Sequence, residues 1–362
     1  MPLVAHADLP AFDKLRANGQ EIVPLEKALA QDIRELHIGL LNMMPDSALR
    51  VTEQQFMRLV GGCNQIAQFY VHPFSVSGLE RSPEAEAYIN KYYQTFDEVR
   101  REGLDALIIT GANVANPSLD QEAFWEPLVE VISWAQENVP SVLCSCLSTH
   151  ALVKHFYGIE RQNLDEKTWG VFPHRITQAH PLLNDINTRF DVPHSRWNKV
   201  TRQQMEAAGL TVLVDGPKGV QMAVSPDQFR IIYFQGHPEY NINSLLKEYK
   251  RDLLLHLNGQ IELPPFPENY FSAEAVAIAH QYLGNARAAK QYGMPQPDFP
   301  EAEILPYLDN TWGDTGKAIV NNWLGLVYNT THLDRDRLFM DDVDPNDPLG
   351  ILNSKQTAQL TA

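Results

Sequence analysis

Residues 139–158 read VPSVLCSCLSTHALVKHFYG, and the pattern changes half-way along. Residues 141–145 form a short apolar run bounded by Pro140, which predicts a buried strand. From Leu147 the spacing is helical and stops at Gly158, a natural left-handed residue for a helix end. Cys146 falls at the junction. A strand that turns sharply into a helix lifts its junction side chain clear of the backbone and aims the following N–H groups at whatever that side chain attacks. The helix N-terminus also favours thiolate over thiol, and Ser145 and Ser148 are small enough for a tight turn. Spacing alone leaves two readings open: a nucleophile elbow in cysteine form, or a cysteine buried at a strand end. The stretch that bears on the choice lies far downstream, at Gly236-His237-Pro238-Glu239.

Working outward, residues 36–41 predict a buried strand that ends at Asn42-Met43-Met44-Pro45. Thr52 with Gln55 reads as a capping box, opening a helix whose apolar face carries Phe56, Leu59 and Val60. Residues 68–76 alternate like a strand, and 84–99 predict one helix with Tyr88, Tyr92 and Phe96 four apart. Residues 104–110 predict a strand stopping at Thr110-Gly111-Ala112-Asn113, and Phe124, Leu128, Val131, Ile132 and Ala135 mark the next helix. Beyond Gly158 the pattern loosens: 165–171 and 191–198 read as loop and short-strand material. Residues 212–215, 220–224 and 230–234 predict strands, the first two joined across a turn at Gly216-Pro217-Lys218-Gly219. Helices are predicted over 243–257, 273–292 and 317–328. Strands alternating with helices predict an α/β fold with a doubly wound, mostly parallel sheet. The predicted organisation is an N-terminal extension (1–35), a catalytic α/β domain (36–260), a C-terminal helical extension packed on it (261–342) and a mobile tail (343–362).

Composition narrows the function. The chain has 362 residues, 44% hydrophobic and 20% charged, which fits a water-soluble globular protein. It has no run of 18 apolar residues and no signal-like opening, so no membrane role and a cytoplasmic location are expected. Three cysteines, Cys63, Cys144 and Cys146, make no disulfide framework and suit a reducing compartment. A net charge of −16 argues against nucleic acid as a partner and requires any anionic substrate to be held by local cations. There is no HExxH, no CxxC and no closely spaced His/Asp cluster, so no metal site is expected.

In open α/β sheets, ligands bind beyond the carboxyl ends of the parallel strands. Four predicted strand ends then converge: residues 42–45, 110–115, Cys146 and 235–239. The last places an imidazole and a carboxylate two residues apart on a proline-fixed strand exit. A thiol nucleophile needs a base to take its proton, and the base needs a carboxylate to fix its tautomer. Cys146, His237 and Glu239 supply nucleophile, base and orienting acid in that order.

These residues resemble the class I glutamine-amidotransferase-like superfamily, with its flavodoxin-like sheet, and within it the homoserine O-succinyltransferase family. The similar segments are Asn42-Met43-Met44-Pro45, Thr52-Glu53-Gln54-Gln55-Phe56, Leu107-Ile108-Ile109-Thr110-Gly111-Ala112, Tyr157-Gly158-Ile159 and Glu166-Lys167. Pro193-His194-Ser195-Arg196, Gly236-His237-Pro238-Glu239-Tyr240, Arg251-Asp252 and Asn322-Trp323-Leu324 complete them. The resemblance implies a two-step acyl transfer: Cys146 takes the succinyl group of succinyl-CoA, and the hydroxyl of L-homoserine then receives it. It implies that Lys167, Ser195 and Arg251 contact the amino-acid substrate. The oxyanion would be held by the backbone N–H groups of Leu147 and of the Gly111-Ala112 turn. Ala115 would bear on donor choice, since in the family a glutamate there goes with acetyl-CoA and a glycine with succinyl-CoA. No cofactor beyond the CoA thioester and a homodimeric state are expected.

Three departures from the family pattern stand out. Residues 46–51 form a longer stretch than usual and lack a lysine soon after Pro45. Residues 273–309 look like an insertion, and Leu147 stands where the family usually has tryptophan. Arg50 and Arg196 are the candidate cations for the acyl carboxylate. The alternatives are an acetyl-CoA-dependent homoserine acyltransferase, a glutamine-amidotransferase-like hydrolase and a non-catalytic binding module.

Overall fold

The computed structural model describes residues 3–63 and 67–352. In chain order the elements are β1 (Val4–Ala5), α1 (Pro10–Ala17), β2 (Val23–Pro24), α2 (Leu25–Leu29), β3 (Glu35–Leu41), α3 (Asp46–Gly61), β4 (Gln68–Phe74), α4 (Pro83–Tyr92) and α5 (Phe96–Glu102). Next come β5 (Ala106–Ile109), α6 (Trp125–Asn138), β6 (Ser141–Ser145), α7 (Leu147–Tyr157), β7 (Gln162–Ile176), β8 (Arg189–Lys199), α8 (Arg202–Ala207), β9 (Thr211–Asp215), β10 (Met222–Val224) and β11 (Ile231–Phe234). The chain closes with α9 (Ser244–Leu257), α10 (Ala273–Gln291), α11 (Glu301–Ile304) and α12 (Gly313–Thr330).

One sheet of nine strands runs β4-β3-β5-β6-β11-β10-β9-β7-β8. From β4 to β11 every ladder is parallel, and the five strands lie in the sequence order 2-1-3-4-5, the flavodoxin-like arrangement. From β11 to β8 every ladder is antiparallel. The parallel strands are buried on both faces, which is why they read as continuous apolar runs. Leu36, Ile38 and Leu40 face a core built with α1, α3 and α12. Leu107, Ile109, Val142 and Cys144 face a second core under α6 and α7. The sheet is therefore doubly wound, as predicted.

Several local expectations fail for identifiable reasons. Thr52 and Gln55 do not open α3; they are buried within it, and the helix starts at Asp46 after Pro45, which ends the strand exit and sets the first turn. The helix expected over 84–99 is two helices, because Tyr93 turns extended and Thr95 with Glu98 forms a true capping box that starts α5. Residues 165–171 and 191–198, read as loop and short-strand material, are parts of the long β7–β8 hairpin at the sheet edge. Its strands carry charges on exposed positions and so lack an apolar period. Residues 343–352 of the expected tail form turns, with Val343 and Leu349 packed on the first core. The Asp347 carboxylate accepts from the N–H groups of Ile351 and Leu352. Residues 353–362 lie outside the described residues.

The segment that looks like an insertion builds a third core. Ala275, Ala279, Tyr282, Leu283 and Ala286 of α10 pack with Leu245, Tyr249 and Leu253 of α9 and with Trp312. Among the described residues no helix is long and apolar enough to cross a membrane.

Candidate active site

The β6–α7 junction is strained. Cys146 sits at φ 57, ψ −109, a region that L side chains rarely occupy and that costs on the order of 1–3 kcal/mol. Its N–H donates to the Phe234 carbonyl at 2.8 Å. The Ser148 hydroxyl accepts from the Ser145 N–H at 2.8 Å and reaches the Ile109 carbonyl at 2.8 Å, tying the elbow to the end of β5. Thr149 donates to the Phe234 carbonyl at 2.7 Å. These bonds fix the turn from both neighbouring strands. Cys63 and Cys144 are buried, whereas Cys146 is partly exposed. Burial pushes the Cys144 thiol well above its ordinary value, so that residue belongs to the core.

β11 pairs with β6 in register, Phe234 opposite Ser145, so its exit lies beside the elbow. There the His237 Nδ1–H donates to the Glu239 carboxylate at 2.7 Å, which leaves Nε2 for Cys146, whose charge acts on the ring. Burial pulls the imidazole down, but the charges of Glu239 and Cys146 outweigh it and hold His237 well above its ordinary value. Glu239 also accepts from the Ser145 hydroxyl at 3.3 Å, and Arg58 donates to the Glu239 carbonyl at 2.9 Å. Cys146, His237 and Glu239 are thus brought together as the sequence predicted.

The two motifs Pro193-His194-Ser195-Arg196 and Gly236-His237-Pro238-Glu239 touch directly. The His237 N–H donates to the Pro193 carbonyl at 2.8 Å. A Cβ on Gly236 would lie 2.5 Å from Gln221 Oε1 and 2.8 Å from the Pro193 carbonyl oxygen, so this close approach requires glycine. Ser195 faces the site and donates to Glu248 at 2.6 Å. The neighbouring His194 is instead buried against His174 and Arg196, as strand alternation dictates.

Glu248, on α9, is the residue that sequence reasoning missed. It accepts from Lys167 at 3.2 Å, Ser195 at 2.6 Å and Tyr240 at 2.7 Å. Burial pushes its carboxyl up, but Lys167 and then the two hydroxyls outweigh that and hold it below its ordinary value. Tyr240 in turn stacks on the His237 ring, centroids 4.3 Å apart. Lys167, Ser195 and the triad therefore meet through Glu248 and Tyr240. Arg251, one turn along α9, is half exposed and pairs with Asp252 at 2.7 Å. It lines a cleft of about 320 Å³ together with Met44, Pro45, Thr52, Tyr240 and Glu248. The only early signal for Glu248 was a carboxylate three residues, about one helical turn, before Arg251.

The other strand ends also close on the elbow. A Cβ on Gly111 would come within 3.9 Å of both Cys146 Cβ and the Leu147 nitrogen, so the Gly111-Ala112 turn and the Leu147 N–H flank the nucleophile. Ala115 lies on the exposed loop after it and donates its N–H to Glu122 at 2.9 Å. Arg50 is an outer residue of α3, paired with Glu84 and lying over the Tyr88 ring. Arg196 is buried, its donors taken by His194 and by the carbonyls of Asn198 and Lys218. Among the described residues no group of three or more His, Cys, Asp or Glu is placed to hold a metal.

A strained cysteine elbow on a parallel sheet, beside a histidine held by a carboxylate, is the arrangement of α/β enzymes that use a thiol as nucleophile. A sequence profile of the homoserine O-succinyltransferase family matches residues 2–333. Relatives named homoserine O-succinyltransferase include one from Methylobacter tundripaludum, 59% identical over 97% of this chain and 100% of its own length. Another, from Methylococcus capsulatus, is 57% identical with the same coverage. The chain belongs to the homoserine O-succinyltransferase family, and by that membership is an acyltransferase. A solved glutamine amidotransferase from Methylobacillus flagellatus resembles it with a TM-score of 0.46 and 15% identity, over 81% of this chain and 95% of that one.

Proposed function

We propose that the protein transfers the succinyl group of succinyl-CoA to the hydroxyl of L-homoserine through an acyl-cysteine at Cys146. The observation that carries this is the strained Cys146 elbow beside β11, at whose exit Glu239 holds one nitrogen of His237 at 2.7 Å. In the first step the Cys146 sulfur attacks the thioester carbonyl. The tetrahedral oxyanion is held by the backbone N–H groups of Leu147 and Ala112, and its collapse breaks the C–S bond to CoA. The departing CoA sulfur takes the proton that His237 removed from Cys146. In the second step His237 removes the homoserine hydroxyl proton, the alkoxide attacks the acyl-cysteine, and O-succinyl-L-homoserine leaves as the thiol is regenerated. Excluding water from the acyl-enzyme favours transfer over hydrolysis.

The amino-acid substrate lies in the cleft beside Tyr240, where Arg251 meets its carboxylate and Glu248, positioned by Lys167 and Ser195, meets its ammonium. Succinyl is preferred over acetyl because Ala115 neither fills the acyl pocket nor places a like charge beside the distal carboxylate. No cofactor beyond the CoA thioester is needed. A cytoplasmic location fits three unpaired thiols. A homodimer belongs to the same reading, with edge strand β8 exposing Trp197 by 58%.

Initial rates with succinyl-CoA and acetyl-CoA over a range of homoserine concentrations test this. Higher kcat/KM with succinyl-CoA and parallel double-reciprocal lines are expected, because CoA leaves before homoserine reacts. Intersecting lines would exclude the covalent route, and faster acetyl transfer would overturn the donor. Ala115→Glu is expected to lose succinyl transfer.

A further inference from the structure

A succinyl group carries a carboxylate that a chain of net charge −16 must hold with a local cation. The two arginines that the sequence offered are committed elsewhere: Arg50 to Glu84 on the outer side of α3, and Arg196 to His194 and two carbonyls. A third arginine stands nearer to the donor loop.

Arg161 occupies the short connection between α7 and β7, immediately before Gln162. Its Nη2 makes long contacts, 3.3 and 3.4 Å, to the carbonyls of Asn116 and Pro117, the two residues that follow Ala115. Its Nε and Nη1 are buried without a hydrogen-bond partner. Burying a guanidinium with unmet donors is costly, and such a group normally has an anion to meet. No described carboxylate is within ion-pair distance of it. Its acidic neighbours are engaged: Glu122 accepts the N–H groups of Ala115 and Asn116, while Glu160 and Asp120 pair with Lys154.

We propose that Arg161 recognises the free carboxylate of the acyl donor, so that a cation at the entrance of β7 sets donor choice together with Ala115. This rests on the acyl-transfer reading above. The donor class is a dicarboxylic acid bound to CoA through one carboxyl, with the other carboxylate meeting the unpartnered guanidinium donors.

The test compares succinyl-CoA with butyryl-CoA, which has the same chain length and no distal charge. The wild-type protein is expected to prefer succinyl-CoA. Arg161→Gln keeps a donor for the loop carbonyls and removes the charge, and is expected to lower kcat/KM for succinyl-CoA on the order of 100-fold while butyryl transfer hardly changes. Arg161→Lys is expected to restore part of the preference. Equal losses with both donors would show a merely structural arginine and overturn the proposal, as would an unchanged succinyl rate in Arg161→Gln. If that variant does not fold, the wild-type protein still decides: equal use of succinyl- and butyryl-CoA removes any role for a carboxylate-binding cation. A wild-type protein that transfers no acyl group to homoserine from either thioester would instead overturn the reaction itself.

Discussion

At Cys146 the strained backbone, the nearby His237 charge and the partial exposure coincide in one residue. Cys146→Ser is nearly isosteric, so the fold is expected to survive while transfer falls by roughly a thousandfold or more, and His237→Ala is expected to be about as damaging because triad members act as a unit. Glu239→Ala is expected to lose less, since Glu239 orients rather than reacts, and replacing the buried Cys144 is expected to leave turnover unchanged. Steady-state rates, with circular dichroism as the check on folding, measure all four; a large loss at Cys144 would mean that the nucleophile is misassigned. These roles were legible because each is carried by a local pattern: a strand-to-helix break around Cys146, and His-Pro-Glu at a strand exit. Glu248 and Arg161 were not. Their settings are made by residues dozens of positions away, Lys167 and Ser195 for the one and the 115–117 loop for the other.

Among the elements, the strands flanking the elbow were readable because double burial makes them short apolar runs. The β7–β8 hairpin was not, since strands at a sheet edge keep polar residues on exposed positions. α3 misled for a different reason: Thr52 and Gln55 mimic a helix start, although Pro45 already ends the strand exit seven residues earlier. α3 also buries Glu53, which accepts from Tyr88 at 3.0 Å and lies near Tyr93. Tyr93 accepts from Asn42, whose side-chain oxygen receives the Met44 N–H, so this buried carboxyl braces the strand exit that lines the cleft. Burial raises Glu53 to about 7. The folded protein then binds a proton that the unfolded chain has released between pH 4.5 and about 7. The stabilisation is therefore full below that window and is lost as the pH rises through it. Glu53→Gln is expected to gain stability relative to the parent between pH 5 and pH 8, on the order of 3 kcal/mol at most. Urea unfolding at the two pH values measures it, and a difference that does not change with pH would refute the buried, neutral carboxyl.

For the whole molecule, the C-terminal region holds the site from behind. Trp312 is 2% exposed, fills the third core and donates its indole N–H to the Tyr240 carbonyl at 2.9 Å. A Cβ on Gly316 would lie 2.7 Å from the Pro238 carbonyl oxygen, so α12 lies directly on the His237 strand exit. Trp323 bonds the Ser141 hydroxyl at the start of β6. Trp312→Ala is expected to cost about 3–5 kcal/mol and Trp312→Phe about 1 kcal/mol for the lost hydrogen bond, both read from chemical unfolding; equal costs would mean that the indole contributes only through its N–H. The sequence predicts a helix over 317–328 but not what it packs against, because partners across the fold leave no local pattern. The account depends most on the acyl-cysteine, and mass spectrometry of the intact protein and of its peptides tests it directly. Mixed with succinyl-CoA alone, the protein is expected to gain the mass of one succinyl group on the peptide containing Cys146, and to lose it when L-homoserine is added, with O-succinyl-L-homoserine released. Turnover without any adduct, or an adduct that persists in Cys146→Ser, would contradict it.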